Sequence, residues 1–381
     1  MTFEAALETP ALVYDEVALT VDLDAARAIA DRGGCRLLFS LKACYLRPIL
    51  ERITRAIDGF SCSGLFEVLV AHDIDREPGR ILHVTTPAMR PDEASEIGAR
   101  ATHVSFNSLG QWTTLRHYMS KKTSCGIRVN PLRSLGVNVR YDPCRPNSHL
   151  GVTMHNLTLA ARQGILDGVE GLHFHTNCES SDYDQMRETL QTIADGVPWL
   201  LEQVQWLNIG GGYLADAASN VESFAALARD VRSSFDVELM FEPGAAIVGR
   251  AGSLLTSVVD IVEAQGRQVA IVDSTIHHLA DILDFEYTPA VLESRVGGDH
   301  SFIIAGRSCL AGDIFGTYAF AEPLQIGSRL TFDDVGAYTL SKATMFNGIN
   351  LPRVYLRMKD GAIHTIASWT YEDFRRIAGG D

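Results

Sequence analysis

Eight short apolar segments that recur along the N-terminal part of the chain constrain its fold more than any other feature. Stretches between them, such as Leu65–His72 and Phe224–Ser233, have apolar residues at three- and four-residue spacing, which predicts helices. Strands that alternate with helices predict parallel βαβ units, and eight such units without a GxGxxG motif favour a closed (β/α)8 barrel over a doubly wound sheet. The predicted strands are Arg36–Leu41, Gly59–Ser63, Ile81–Thr86, His103–Asn107, Gly126–Asn130, Gly171–His175, Trp206–Gly210 and Glu238–Glu242.

The pattern changes after about residue 253. Short strand-like segments separated by Gly, Pro and Asp turns predict a β-sandwich or β-barrel domain, into which the N-terminal run Ala11–Tyr14 could pair. We therefore predict a barrel domain over residues 15–253 and a β-rich domain of residues 1–14 with 254–381, and interpret Pro131–Gly151 as an insertion over the barrel mouth. The predicted C-terminal strands are Leu254–Val262, Gln268–Val272, Ser301–Ala305, Arg329–Phe332 and Ala362–Ala367.

Composition narrows the partners and the compartment. A net charge of −14 disfavours nucleic acid and anionic membrane, because both bind basic surfaces. No segment approaches the roughly 20 apolar residues of a membrane span, and the start Met1-Thr2-Phe3-Glu4 lacks the pattern of a signal peptide. The 7 cysteines are scattered without CxxC pairing and are typical of reduced thiols. We expect a cytoplasmic protein.

Lys42 follows the first predicted strand. Active sites of barrel enzymes lie at the C-terminal ends of the strands, and desolvation there would make a lysine amine a usable nucleophile. Most lysines at strand ends are solvated surface groups, so Lys42 alone decides nothing. It gains weight because three other strand ends carry complementary groups.

The sixth predicted strand ends in His173-Phe174-His175, and side-chain alternation places both imidazoles on one face. Three interpretations stay open: a metal site, a hydrogen-bonded core pair, or one ring stacked on a flat cofactor. No second cluster of histidines or carboxylates at another strand end completes a metal sphere, so we expect no metal.

The seventh and eighth strands end in Gly210-Gly211-Gly212 and in Glu242. A glycine run is often only a tight turn, but phosphate sites in barrels form after these two strands, and glycine lets backbone N–H groups approach a phosphate. A carboxylate buried at a strand end needs a partner, either in a structural ion pair or in a protonated pyridine nitrogen.

These residues belong to a set of motifs that resembles the fold type III (alanine racemase-fold) pyridoxal phosphate decarboxylases, and among them the carboxynorspermidine decarboxylases. The resemblance covers nearly the whole chain. The matching motifs are Ser40-Leu-Lys42-Ala43, His103–Trp112, Tyr141–Cys144, His175-Thr-Asn-Cys178-Glu179, Asn208-Ile-Gly-Gly-Gly212, Glu242-Pro-Gly244, Gly306-Arg-Ser-Cys309-Leu-Ala-Gly-Asp313, Tyr338-Thr339 and Phe346–Ile349.

The resemblance implies an enzyme that uses pyridoxal 5'-phosphate to decarboxylate an amino acid with a distal amine, in polyamine biosynthesis or for a more specialised product. Lys42 would hold the cofactor covalently, His175 would stack on its ring, and Glu242 would keep the ring nitrogen protonated. The implied cofactor contacts are Lys42, His175, Cys178, Gly210, Gly211, Gly212, Glu242 and Tyr338.

Further roles follow from the same resemblance. Cys309 would be the acid that reprotonates Cα, although a buried apolar cysteine is the alternative for it. In this family Cys309 and Asp313 reach the active site of the partner subunit, which implies a homodimer with shared sites. Asp281, Asp284 and Asp313 are implied to receive the distal amine of the substrate.

The chain departs from the family where a substrate would be recognised. Ser148-His149-Leu150-Gly151 stands for a family Ser-Arg-Leu-Gly, and His277–Asp284 stands for Cys-His-Met-Pro-Asp-Val-Leu-Glu. Arginine and histidine are not interchangeable at a bidentate site, so His149 and His278 are candidate substrate contacts. A racemase, a non-catalytic cofactor carrier and a zinc hydrolase are the alternative functions. The match around Cys309 disfavours a racemase, and the β-rich domain disfavours a non-catalytic carrier. The lack of a complete set of metal ligands disfavours a zinc hydrolase.

Overall fold

Strands and helices alternate from the first helix to residue 248, and strands dominate after it. The computed structural model describes residues 7–74, 77–133, 135, 141–178, 180, 182–213 and 221–380. The strands are β1 (Ala11–Asp15), β2 (Arg36–Ser40), β3 (Gly59–Cys62), β4 (Ile81–Thr86), β5 (His103–Phe106), β6 (Ser124–Asn130), β7 (Val152–Thr153), β8 (Gly171–His173), β9 (Trp206–Asn208), β10 (Glu238–Phe241), β11 (Gly252–Ala264), β12 (Arg267–Val272), β13 (His300–Ala305), β14 (Ile314–Phe320), β15 (Arg329–Phe332), β16 (Arg353–Arg357) and β17 (Ile363–Ala367).

Helices stand between these strands along the chain. They are α1 (Glu16–Gly33), α2 (Arg47–Ile53), α3 (Leu65–Ile74), α4 (Pro91–Gly98), α5 (Leu109–Leu115), α6 (Met154–Arg162), α7 (Tyr183–Gly196), α8 (Pro198–Leu201), α9 (Val221–Ser234), α10 (Ala245–Val248), α11 (Asp281–Phe285), α12 (Thr339–Lys342) and α13 (Tyr371–Ile377).

The eight predicted barrel strands form a closed parallel ring. Around the ring the order is β2, β3, β4, β5, β6, β8, β9 and β10, and β10 pairs back with β2. The predicted (β/α)8 barrel is confirmed. Several strands end before the predicted residue, because Lys42 already lies in a 3-10 turn and Gly210 has φ +71°, a left-handed conformation that a strand cannot continue.

The interior of the barrel has an apolar layer near the N-terminal ends of the strands. Leu38, Ile81, Trp206 and Met240 form it. The indole of Trp206 fits there because Gly171 lacks a side chain: a Cβ at that position would lie 1.9 Å from the ring. Trp206 Nε1 donates a hydrogen bond to Ser124 Oγ at 2.8 Å, so the buried polar atom is satisfied.

The C-terminal strands form a separate sheet. Its strand order is β14, β13, β12, β11, β1, β16 and β17. Strand β15 also pairs with β11 but stands outside this order. As predicted, the N-terminal strand β1 joins this sheet, antiparallel to β11 and parallel to β16. The five predicted C-terminal strands are present, while β14 and β16 were not predicted. Gly316 interrupts the strand pattern of β14, which concealed it in the sequence.

Contacts divide the chain into two compact units. One contains the described residues up to Val21 and from Val248 onward, and the other runs from Asp22 to Ile247. The sequence analysis put these limits at residues 15 and 253. Helix α1 continues across the first limit and α10 across the second, which explains why no turn marks either position in the sequence. Among the described residues, no helix is long and apolar enough to cross a membrane.

Candidate active site

Lys42 lies in the 3-10 turn Leu41–Ala43, which directly follows β2. The turn is fixed against the end of β10, since Ser40 donates its N–H to the Pro243 carbonyl at 3.0 Å and a Cβ at Gly244 would lie 3.2 Å from the Ser40 Cβ. The side chain of Lys42 is exposed while its two neighbours in the turn are buried. The expected desolvation by burial is therefore not found. The Lys42 amine lies close enough to His175 for its positive charge to lower the pKa of that ring.

Glu242, directly after β10, is buried and held by hydrogen bonds on both carboxylate oxygens. His173 donates Nε2–H to Oε1 at 3.0 Å, and Asn208 donates from Nδ2 to Oε2 at 3.1 Å. Burial alone would raise the pKa of Glu242, but the hydrogen bond and charge of His173, the nearby His83 ring and a hydrogen bond from Ser61 together hold that pKa far below its ordinary value. Glu242 is thus a buried carboxylate that stays ionised.

The two histidines of the sixth barrel strand have different partners. His173 belongs to the hydrogen-bonded interior with Glu242, and burial lowers its pKa. His175 lies beyond the strand, where its Nδ1 accepts the N–H of Gly211 at 3.2 Å. Desolvation, followed by the positive charges of Lys42 and Arg128, lowers the pKa of His175 well below its ordinary value, so its ring is neutral. Of the three interpretations, His173 fits a core pair, and His175 stays the candidate for cofactor stacking.

The three-glycine turn contacts the loop after β8. A Cβ at Gly212 would lie 2.0 Å from the Asn177 carbonyl oxygen, and φ at Gly212 is +84°, so only glycine fits there. Two of the three N–H groups have internal acceptors: Gly210 donates to Asn208 Oδ1 at 2.9 Å and Gly211 donates to His175. The Gly212 N–H has no acceptor within the described ranges. The turn therefore has both a structural role and one N–H group available to an anion.

Arg128, in β6, was missed by the sequence analysis. It is 8% exposed, and burial lowers its pKa. Its guanidinium has no hydrogen bond or ion pair with the described part of the chain. In the strand register it stands beside His173, which itself stands beside Asn208. A charged residue inside the apolar run Gly126–Asn130 was the signal, since an unpaired buried charge is costly unless a ligand completes it.

In the sheet unit, Cys309 is exposed, which excludes the alternative of a buried apolar cysteine. Its N–H donates to Asn347 Oδ1 at 2.8 Å, which anchors the loop that carries the thiol. Asp313 is 2% exposed and accepts the N–H groups of Ile276 at 2.8 Å and Ser308 at 2.9 Å. The carboxylate of Asp313 thus organises this turn instead of facing solvent, where a substrate amine would approach.

Asp281 and Asp284 begin α11 on one face of its first turn, and an ammonium group already lies between them. Lys342 Nζ donates to Asp281 Oδ1 at 2.5 Å and to Asp284 Oδ2 at 2.8 Å. The same Nζ lies 5.4 Å from the centre of the Tyr338 ring, and Tyr338 adopts a left-handed φ of +57°. Lys342 was not anticipated from the sequence, because nothing in its local pattern connects it with a helix about 60 residues earlier.

The remaining predicted contacts differ in accessibility. His149 and Cys178 are exposed in the barrel unit, and Glu179 lies outside the described residues. His278 is fully buried in the sheet unit, with Nδ1 hydrogen-bonded to Ser274 Oγ at 3.0 Å, and burial lowers its pKa to about 4. A buried neutral imidazole of this kind supports packing, so the structure gives His278 no path to a substrate within its own unit.

Comparison with known proteins identifies the family. Residues 11–336 match the family described as pyridoxal-dependent decarboxylase, C-terminal sheet domain. The chain is a pyridoxal-dependent decarboxylase. It is similar to the carboxynorspermidine/carboxyspermidine decarboxylase of Campylobacter jejuni, at 31% identity over 98% of this chain and 99% of that one. It is also similar to the carboxyaminopropylagmatine decarboxylase of Synechocystis sp., at 33% identity over 98% and 96%.

The fold of this decarboxylase agrees with the same family. The crystal structure of carboxynorspermidine decarboxylase from Campylobacter jejuni, complexed with norspermidine, superimposes with a TM-score of 0.87 at 29% identity, covering 97% of this chain and all of that one. The residues at the barrel mouth fit the family's cofactor, pyridoxal 5'-phosphate. The ionised Glu242 suits a pyridinium nitrogen. The Gly212 N–H and the Arg128 guanidinium, which have no hydrogen-bond partner among the described residues, suit anionic groups.

Proposed function

We propose that this decarboxylase removes the carboxyl group from an amino acid that carries an amine-bearing extension, as the names of its relatives suggest for them. One observation carries the chemistry: Glu242 is buried and ionised directly after β10. The turn with Lys42 begins after Ser40, whose N–H is hydrogen-bonded to the residue that follows Glu242. The names carboxynorspermidine, carboxyspermidine and carboxyaminopropylagmatine decarboxylase supply the substrate class.

The bound cofactor supplies an electron sink for the bond to the departing carboxylate. Lys42 is the proposed covalent attachment point, because its amine is exposed beside the Glu242 end of β10. Glu242 holds a proton on the ring nitrogen, because a buried carboxylate with two fixed donors favours a cationic partner. The neutral ring of His175 suits stacking, and Gly212, Cys178 and Tyr338 are the proposed contacts at the phosphate end.

Cys309 is the proposed proton donor to Cα after carbon dioxide leaves. Its exposed thiol sits on a loop that Asn347 and Asp313 anchor, which favours a fixed position for proton transfer. The family resemblance supports a homodimer in which Cys309 of one subunit serves the barrel of the other. This proposal predicts that a monomer is inactive.

Asp281 and Asp284 remain the proposed contacts for the distal amine. With Lys342 between them, the three charged side chains sum to one net negative charge, which attracts one further cation. His149 is the second proposed substrate contact, because it is exposed where the family has arginine. We do not propose His278, which is buried.

The proposed compartment is the cytoplasm. All 7 cysteines are free thiols, which suits a reducing environment.

A screen of carbon dioxide release tests the proposal. The purified protein, loaded with pyridoxal phosphate, is incubated with carboxynorspermidine, carboxyspermidine, carboxyaminopropylagmatine, diaminopimelate and ornithine. Release from one or more of the three carboxylated polyamines, in excess over release from the two short diamino acids, is expected. Preferred release from diaminopimelate or ornithine would contradict the proposed substrate class.

A further inference from the structure

Asn208, at the end of β9, has a buried side-chain amide that both donates and accepts hydrogen bonds. From Nδ2 it donates to Glu242 Oε2 at 3.1 Å and to His83 Nδ1 at 2.5 Å. Its Oδ1 accepts the N–H of Gly210 at 2.9 Å. Asn208 is 0% exposed, so all of these bonds form away from solvent.

The chemistry of the neighbours fixes the orientation of this amide. An ionised carboxylate can only accept, and a backbone N–H can only donate, so Nδ2 must face Glu242 and Oδ1 must face Gly210. His83 then accepts at Nδ1 and carries its proton on Nε2, which lies 2.8 Å from Ser105 Oγ. Burial lowers the pKa of His83 to about 3, in agreement with this neutral ring. Donors and acceptors are therefore assigned in one consistent way from Ser105 through His83 and Asn208 to Glu242.

We propose that Asn208 is a positioning residue that couples the two ends of the cofactor site: through Nδ2 it holds Glu242 toward the ring nitrogen, and through Oδ1 it holds the glycine turn toward the phosphate. This inference rests on the proposed function. Because Asn208 accepts the Gly210 N–H and His175 accepts that of Gly211, the turn is fixed, and its Gly212 N–H has no acceptor in the described part of the chain. The same side chain also supplies one of the donors that keep the Glu242 carboxylate in place.

A carboxylate could not replace this amide. Aspartate at position 208 would set two buried carboxyl groups about 3 Å apart, and groups so close share one proton instead of ionising together. His83 would then have to carry its proton on Nδ1 and accept from Ser105 at Nε2, the reverse of its arrangement opposite asparagine. The aspartate could still accept the Gly210 N–H through one oxygen. Asn208→Asp therefore disturbs the ring-nitrogen end alone, whereas Asn208→Ala disturbs both ends.

Cofactor binding separates the two ends in an experiment. Dissociation constants of pyridoxal 5'-phosphate and of pyridoxal, which lacks the phosphate, are measured for the apoprotein, and the pH dependence of the bound cofactor's absorption is recorded. Losing a hydrogen bond of ordinary strength changes an affinity about 5- to 10-fold. We expect Asn208→Ala to reduce the preference for the phosphorylated form by about that factor. We expect Asn208→Asp to keep the preference but shift the pH dependence of the absorption, with kcat reduced at least about tenfold and KM within about twofold.

Asn350→Asp is the matched control, because Asn350 is exposed in the sheet unit and its side chain donates to a backbone carbonyl, that of Trp369. In the double variant Asn208→Asp, Glu242→Gln, the glutamine amide at position 242 can donate to the aspartate at position 208. Its urea midpoint should therefore return toward that of the wild type. It also tests the idea if Asn208→Asp does not fold. The inference is overturned if the double variant is no more stable than Asn208→Asp, or if Asn208→Ala leaves the phosphate preference unchanged. The cofactor affinities, the absorption and the urea midpoints need no substrate, so these readouts stand even if the proposed substrate is wrong.

Discussion

Replacing Glu242 by glutamine separates the charge of this residue from its shape. In the structure the carboxylate is 8% exposed and receives hydrogen bonds from His173 and Asn208, so its charge is little screened by solvent. A hydrogen bond to a charged group contributes about 1.5–3 kcal/mol, against about 1 kcal/mol for a neutral one. Glutamine replaces a charge-assisted bond to the ring nitrogen by a neutral one, and this difference of about 0.5–2 kcal/mol should reduce kcat roughly 2- to 30-fold, at 1.36 kcal/mol per factor of ten.

The cofactor should remain bound in this variant, because Lys42 and the glycine turn are unchanged. The matched control is Glu238→Gln, the same change at the other end of β10, where Glu238 forms an exposed ion pair with Arg36 at 2.7 Å. An exposed pair contributes about 0–1 kcal/mol, and no loss of kcat is expected. The assay is steady-state release of carbon dioxide together with the absorption of the bound cofactor. Turnover of Glu242→Gln equal to that of Glu238→Gln would refute the assignment and leave Glu242 with a structural role only.

Four further outcomes are expected. Borohydride reduction of the loaded enzyme should fix the cofactor to Lys42, and peptide mapping that finds it on another lysine contradicts the attachment point. Inactive Lys42→Ala and Cys309→Ala dimers, mixed until subunits exchange, should regain about a quarter of wild-type activity, because a shared site is intact once in each heterodimer; background activity after exchange proven by mass would show that Cys309 does not act across subunits. Gly212→Ala should lower the free energy of unfolding by more than the ~1–2 kcal/mol of a left-handed alanine, because its Cβ meets a carbonyl oxygen at 2.0 Å; Gly79→Ala, with φ +88° and open space, measures the backbone cost alone in the same urea titration. The folded-state pKa of Glu242 is depressed, so its ionisation stabilises the apoprotein above about pH 4 and that contribution fades as the pH falls further; a stability difference between wild type and Glu242→Gln that stays constant from pH 7 to about pH 3 would contradict this.

The barrel was predictable because its signal is repeated. Each strand is a short apolar segment followed by a helical pattern, and eight repetitions outweigh the ambiguity of any one. Strand ends were less predictable: the sequence cannot show that Gly210 adopts a left-handed conformation or that a 3-10 turn begins at Leu41. Both depend on where the neighbouring loop passes, which is a property of the closed ring.

The roles of individual polar residues divide in the same way. Lys42, His175 and Glu242 stand at strand ends, and position alone marks them as candidates. Arg128 lies inside β6 and Asn208 is the last residue of β9. A polar residue that belongs to an apolar strand marks a buried position but does not name its partner. That partner stands on another strand of the ring, and only the register shows it.

The indole of Trp206 has a consequence for proton movement. It lies in the apolar layer near the N-terminal ends of the barrel strands. Its ring centre is 5.4 Å from that of His83, and the ring packs against Gly126 and Gly171. We therefore expect the layer of His83, His173 and Glu242 to exchange protons with bulk water mainly through the mouth, where we propose that the cofactor binds. In the protein loaded with cofactor, the imidazole N–H signals of this layer should stay visible by NMR at neutral pH. A smaller residue at position 206 should admit water at the N-terminal ends of the strands, so that these protons exchange and their signals disappear.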